Sequence, residues 1–260
     1  MTTSPVGPMH CEDAPPAHSE AAAASATTAG CGKPELASAR PTWRAYVPAA
    51  AGATYLAAWA VGLAVWPVNL SLDAPAAQVA ASHRAQPVEA ASQYLLVEGL
   101  AGVLLGVVLA SALLPVLARR RGRAGISGWG IIGLAATAVL TSLSQCVLGL
   151  LVTAAATGHD RARCGTLFAL VNRLDGVKMI ALAAVTALVV AVASPAPPRW
   201  LRAVTVPLGL ALVASGYAYL TLSGDLAWTA FVSGPLLLLW VTGMGFVLTA
   251  RRRVHRPLPR

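Results

Sequence analysis

Acidic side chains are scarce in this chain, which has ten Asp and Glu against nineteen Lys and Arg, and charged residues of both signs fill only 11% of its 260 positions. A soluble domain carries about a quarter charged residues. With 57% of the residues hydrophobic, a soluble fold of this size is excluded and a membrane protein is implied. No histidine lies in a long apolar run: His10, His18, His83, His159 and His255 fall in tails or connections. That removes the ligands or base needed for haem, a membrane di-iron site or an intramembrane histidine protease. The four cysteines are scattered, with Cys11 and Cys31 near the start, Cys146 in an apolar run and Cys164 in a short connection, so no disulfide and no paired-thiol chemistry is predicted. His10, Cys11, His18 and Cys31 match no compact zinc spacing, and neither a metal nor a cofactor is expected. The glycines from Gly125 to Gly133 lack the Lys-Ser/Thr ending of a phosphate loop. The net charge of +9 does not imply nucleic acid, because the basic residues lie between apolar runs instead of along one face.

What is present is six runs of about 20 or more apolar residues, each long enough to cross roughly 30 Å of hydrocarbon as a helix. They fall near 46–66, 95–118, 129–156, 167–193, 201–222 and 227–250. The fold class read from them is all-α: a polytopic six-transmembrane-helix bundle over residues 45–250. Residues 1–44, rich in Ala, Pro, Ser and Thr, read as a disordered tail with no cleavable leader, and 251–260 as a short basic tail. The only long connection, Pro67 to Ser92, reads as a short amphipathic helix lying on the surface. Ser223-Gly224-Asp225 is too short to join anything but antiparallel neighbours, making the last two spans a hairpin.

Lys and Arg in short loops set the orientation. Lys33, Arg40, Arg44, Arg119, Arg120, Arg121, Arg123, Arg199, Arg202, Arg251, Arg252, Arg253, Arg256 and Arg260 fall on one side, against Arg84, Arg161 and Arg163 on the other. Both termini are therefore expected in the cytoplasm, with the chain in the cell membrane. Trp43, Trp66, Trp129, Trp200 and Trp228 fall at span ends, where headgroup-level rings are expected. Gly99, Gly102 and Gly106 on the second span predict close helix packing. Pro207 and Pro235 interrupt the fifth and sixth, where helix shaping is the plainer reading and a bend beside a cavity the sharper one.

The fourth span opens with Asn172-Arg173-Leu174-Asp175-Gly176-Val177-Lys178, where ionisable groups enter hydrocarbon and need a partner, a route to the interface or a purpose. Counting about 1.5 Å per residue from the cytoplasmic ends puts Lys178, Gln145, Tyr217 and Ser233 at roughly 24–25 Å, and Glu98, Arg173 and Asp175 near 30 Å. The polar groups thus gather in one layer of the outer leaflet. Asp175 and Lys178 are three apart and close enough to pair. Arg173 is expected to reach the interface or to pair with Glu98, and Lys178 to face the interior with a second polar partner. With Asp175 as its only named partner, Lys178→Met is expected to spare stability and Asp175→Ala to strand the lysine.

Leu72-Asp73-Ala74-Pro75-Ala76-Ala77, Tyr94-Leu95-Leu96-Val97-Glu98-Gly99-Leu100-Ala101 and the Arg-Leu-Asp-x-x-Lys element come in an order that resembles a family of uncharacterised multi-pass membrane proteins, a domain of unknown function common in high-GC actinobacteria. The resemblance covers residues 46–250, implies the same multi-pass fold and implies no activity. Three functions remain. A small-molecule or lipid-binding protein for transport, immunity or sensing would use Gln145, Asn172, Arg173, Asp175, Lys178 and Tyr217, with membrane lipids and a small lipophilic ligand as partners. An enzyme acting on an isoprenoid-like lipid, as a cyclase does, would use Glu98 and Asp175 as acids and Tyr94, Tyr217, Tyr219 and Trp228 to steady a cation. A structural or accessory subunit would need only the basic clusters and interhelical hydrogen bonds. The three separate on one question: whether Glu98, Gln145, Asp175, Lys178 and Tyr217 converge on a cavity.

Overall fold

The computed structural model describes residues 43–119, 126–192 and 196–254, and among them every regular element is helical. Six helices are long and apolar enough to cross a membrane. In hydrocarbon every backbone N–H and C=O must be paired within the chain, and a helix does this locally.

The first is α1 (Val47–Val65), opened by Pro48 where a missing N–H costs nothing. Two short helices follow, α2 (Ala76–Ala85) and α3 (Pro87–Gln93). Helix α3 runs on through a π-helical segment, Tyr94–Leu100, into α4 (Ala101–Arg119). Then come α5 (Ile126–Thr157), α6 (Arg161–Val192), α7 (Arg199–Thr221), a 3₁₀ turn (Gly224–Thr229) and α8 (Ala230–Val254). Asp160 caps α6 by accepting the Arg163 N–H at 3.0 Å. Helix α7 ends on Leu222 in the left-handed conformation, with Ser223 N–H closing back to Ala218 O.

The six long helices form a closed ring in which each packs on the next in chain order and α8 returns to α1. Leu105, Leu109, Leu182, Val185, Leu208, Leu212 and Trp240 fill the middle. Trp240 Nε1 donates to Thr205 Oγ1 at 3.0 Å, satisfying the indole where no water reaches it. Small residues set the spacing. A Cβ on Gly102 would sit 2.9 Å from Ser142 Cβ, so α4 and α5 meet there as the glycine pattern predicts.

The sequence-based boundaries need four corrections. The second membrane-crossing helix begins at Pro87, not near 95, because about two polar-containing turns precede the apolar run without breaking it. The 67–92 connection is not one surface helix. Helix α2 buries Val79, Ala80 and His83 against Val152, Ala156, Cys164 and Phe168 of α5 and α6, forming a cap over one end of the ring. Trp66, just past the end of α1, is turned into the protein and 4% exposed, its ring against His83 at 4.7 Å between centroids, whereas Trp43, Trp129, Trp200 and Trp228 are all exposed. The basic tail is helical through Val254. The expectations for 1–42 and 255–260 lie outside the described residues. Cys146 and Cys164 are free thiols.

His83 holds the cap together. Its Nδ1–H donates to Val79 O at 2.9 Å, which leaves Nε2 to accept from Tyr94 Oη at 3.4 Å. Desolvation by the surrounding protein pushes its pKa below the ordinary histidine range, with the Val79 hydrogen bond opposing, so the ring is neutral at pH 7. Arg84 adds a hydrogen bond to Ala156 O at 3.0 Å.

Candidate functional site

Near the capped end, three ionisable side chains meet inside the ring. Lys178 Nζ on α6 lies 2.7 Å from Glu98 Oε2 and 2.6 Å from Asp175 Oδ1. All three side chains are at least 86% buried. Asp175 reaches Lys178 because positions three apart share a helix face. Glu98 comes from 80 positions earlier, in the π-helical segment. Such a segment widens the turn and redirects the side chains that follow, and it is this segment that carries the Glu98 carboxylate to the ring interior. Ser142 Oγ on α5 donates to the same Oε2 at 2.7 Å. The ammonium is thus fully paired, as burial of a charge demands.

Glu98, Asp175 and Lys178 form part of the wall of a cleft of about 620 Å³. Ligand pockets for small molecules span roughly 300–1,000 Å³. The rest of the wall is largely apolar and aromatic, with Trp59 from α1, Leu212 and Tyr219 from α7, and Trp228, Phe231 and Leu237 from the turn and α8. Asn69, Ser71 and Gly224 stand at the mouth. Pro235 is also in the wall, and by lacking an N–H it leaves the Phe231 carbonyl without its helical partner. Of the two prolines, Pro235 stands in the wall and Pro207 does not. Behind the triad, Tyr55, Trp59, Gly102, Ser142 and Lys178 enclose a second space of about 20 Å³, room for one water-sized molecule.

The structure sorts the sequence-derived residues. Glu98, Asp175 and Lys178 converge. Arg173 does not pair with Glu98: it is exposed, because two positions separate it from Asp175 and turn it to the opposite side of α6. Tyr217, 58% exposed, is likewise outside the cleft, and Tyr219, two positions on, takes the inward direction. Gln145 is buried but lies between α5 and α6, donating to Val171 O at 3.1 Å, and Asn172 is buried beside it in sequence from Val171. Gln145 Oε1 and Asn172 Nδ2 have no partner among the described residues. Neither side chain reaches the cleft. Tyr94 serves His83 instead. Ser233 joins Ser215 at 3.1 Å, with Thr229 2.8 Å from Ser215, so this part of the polar layer ties the α7–α8 hairpin. Trp59 and Phe231 were not singled out in the sequence, since in a Leu/Val/Trp-rich span nothing marks one aromatic as inward.

Fold and site together define a membrane-embedded six-helix bundle with a charged triad at the base of an apolar cleft. Comparisons with protein-family models, curated proteins and solved structures found no match. The functional argument therefore rests on the geometry of the site.

Proposed function

We propose that this chain is a cell-membrane protein, both termini cytoplasmic, that binds a small lipophilic molecule in the cleft with the molecule's polar end against the Lys178 triad, in the service of transport, immunity or sensing. The fourteen-to-three division of Lys and Arg between the loops supports the orientation, which puts the cleft in the outer half of the bilayer. One observation carries the binding function: the charged triad lies in the wall of a cavity of ligand size, instead of being sealed between helices. Structural glue does not need that space. Acid catalysis fits less well, since both carboxylates accept from Lys178 and neither is presented as a free acid. Kinship with the actinobacterial multi-pass family is compatible with this function and assigns it no ligand.

Gly234 gives the test. It lies in the cleft wall, and a Cβ built on it meets nothing within 4 Å. Gly234→Phe should fill the cleft without disturbing the packing, leaving the melting temperature within about 2 °C of the parent. Saturable binding of lipophilic small molecules, screened by thermal shift on the full chain in detergent, should fall at least tenfold. Undiminished binding in Gly234→Phe would place the ligand elsewhere.

A further inference from the structure

From the charge distribution around the cleft we infer that its ligand is an organic cation with an apolar body, such as a lipophilic amine or onium ion. This rests on the cleft being a binding site, and goes further by naming the chemical class.

Among the described residues Lys178 is the only cationic side chain in the wall, and it is matched by two carboxylates, so the triad taken as ionised carries one excess negative charge. Lys178 bonds to Glu98 Oε2 and Asp175 Oδ1, and Ser142 takes Glu98 Oε2 as well. Glu98 Oε1 and Asp175 Oδ2 make no hydrogen bond to the described residues, so each carboxylate keeps one oxygen for a donor or a positive centre. An anion, by contrast, would have to displace a carboxylate from Lys178.

The mouth adds to the same sign. The segment 67–75, which supplies Asn69, Leu70, Ser71 and Leu72, contains Asp73 and no Lys or Arg. The segment 222–229, which supplies Gly224, Ala227 and Trp228, contains Asp225 and no Lys or Arg. Both aspartates are exposed. Each segment at the mouth thus carries one carboxylate next to its lining residues and no cation, a distribution that favours the approach of cations over anions. Trp59, Tyr219, Trp228 and Phe231 supply ring faces, which attract a desolvated cation and also bury its apolar body. A bare metal ion is a poorer fit, because the wall is mainly apolar and no group of three His, Cys, Asp or Glu among the described residues is arranged to hold one.

The test compares tetraphenylphosphonium with tetraphenylborate, of one shape and opposite charge, and with neutral triphenylphosphine oxide, a smaller relative. Saturable binding is measured on the full chain in nanodiscs of zwitterionic lipid, with empty nanodiscs as the blank. The cation should bind at least tenfold more tightly than either other probe. Asp225→Lys, at an exposed position away from the packed core, should weaken cation binding severalfold at low salt while leaving the melting temperature unchanged. Gly234→Phe should abolish it. Neutral or anionic probe binding as tightly as the cation, but still lost in Gly234→Phe, would overturn the cation assignment and leave the cleft as the site. Absence of any Gly234-sensitive binding, whatever the probe charge, would overturn the binding function and this inference with it.

Discussion

Lys178→Met should lower stability by about 3–5 kcal/mol and the melting temperature in detergent by on the order of 10 °C. The lysine is the single cation between Glu98 and Asp175, and removing it leaves two carboxylates buried against each other with no counter-charge. Asp175→Ala should be milder, because Lys178 keeps Glu98 at 2.7 Å and Glu98 keeps Ser142. This reverses the order expected from sequence, where Asp175 was the only named partner and the methionine seemed tolerable. The reversal follows from Glu98, whose approach to Lys178 depends on a π-helical segment that the residue pattern does not announce. Thermal unfolding of the two variants side by side checks it: the methionine variant should melt lower.

Gly176→Val should be a damaging change that touches no charged atom. A Cβ at Gly176 would lie 2.7 Å from Gly216 O and 2.9 Å from Leu220 N, both backbone atoms of α7 that no side-chain rotation can move aside. The helices would have to separate. Overpacking of this kind costs about 1–3 kcal/mol and sometimes more. It also carries a functional signature, since Gly176 lies between Asp175 and Lys178 on α6 and Tyr219 faces the cleft from α7. Moving α6 from α7 widens the cleft wall, so binding of any cleft ligand should weaken at temperatures well below the melting point. A variant that melts low but binds normally when folded would show that this contact does not set the cleft.

The six long helices were legible in the sequence because hydrocarbon demands long apolar runs and little else of comparable length competes. The α7–α8 hairpin followed from a turn too short for any other path. Counting along the helices put Glu98 and Asp175 within about one turn of Lys178, and the three do meet. Direction around the helix was not legible. In a span where both lipid and protein neighbours are apolar, the 3.6-residue period that separates inside from outside in a soluble helix is nearly silent. Arg173 and Tyr217 face away from the cleft, unannounced by the residue pattern for that reason. The α2 cap was read as a surface helix because its small alanines and polar ends give no sign of the deep seat taken by His83.

The central claim is that an open cleft from the outer face reaches the neighbourhood of Lys178, and Gly234→Cys tests it most directly. The new thiol would stand in the cleft wall with open space around it. A membrane-impermeant maleimide applied to intact cells should label this variant well above the parent chain, whose described cysteines are buried, and tetraphenylphosphonium should protect it. A Gly234→Cys thiol that stays unlabelled on intact cells and reacts only after permeabilisation would contradict both the orientation and the outward-facing site.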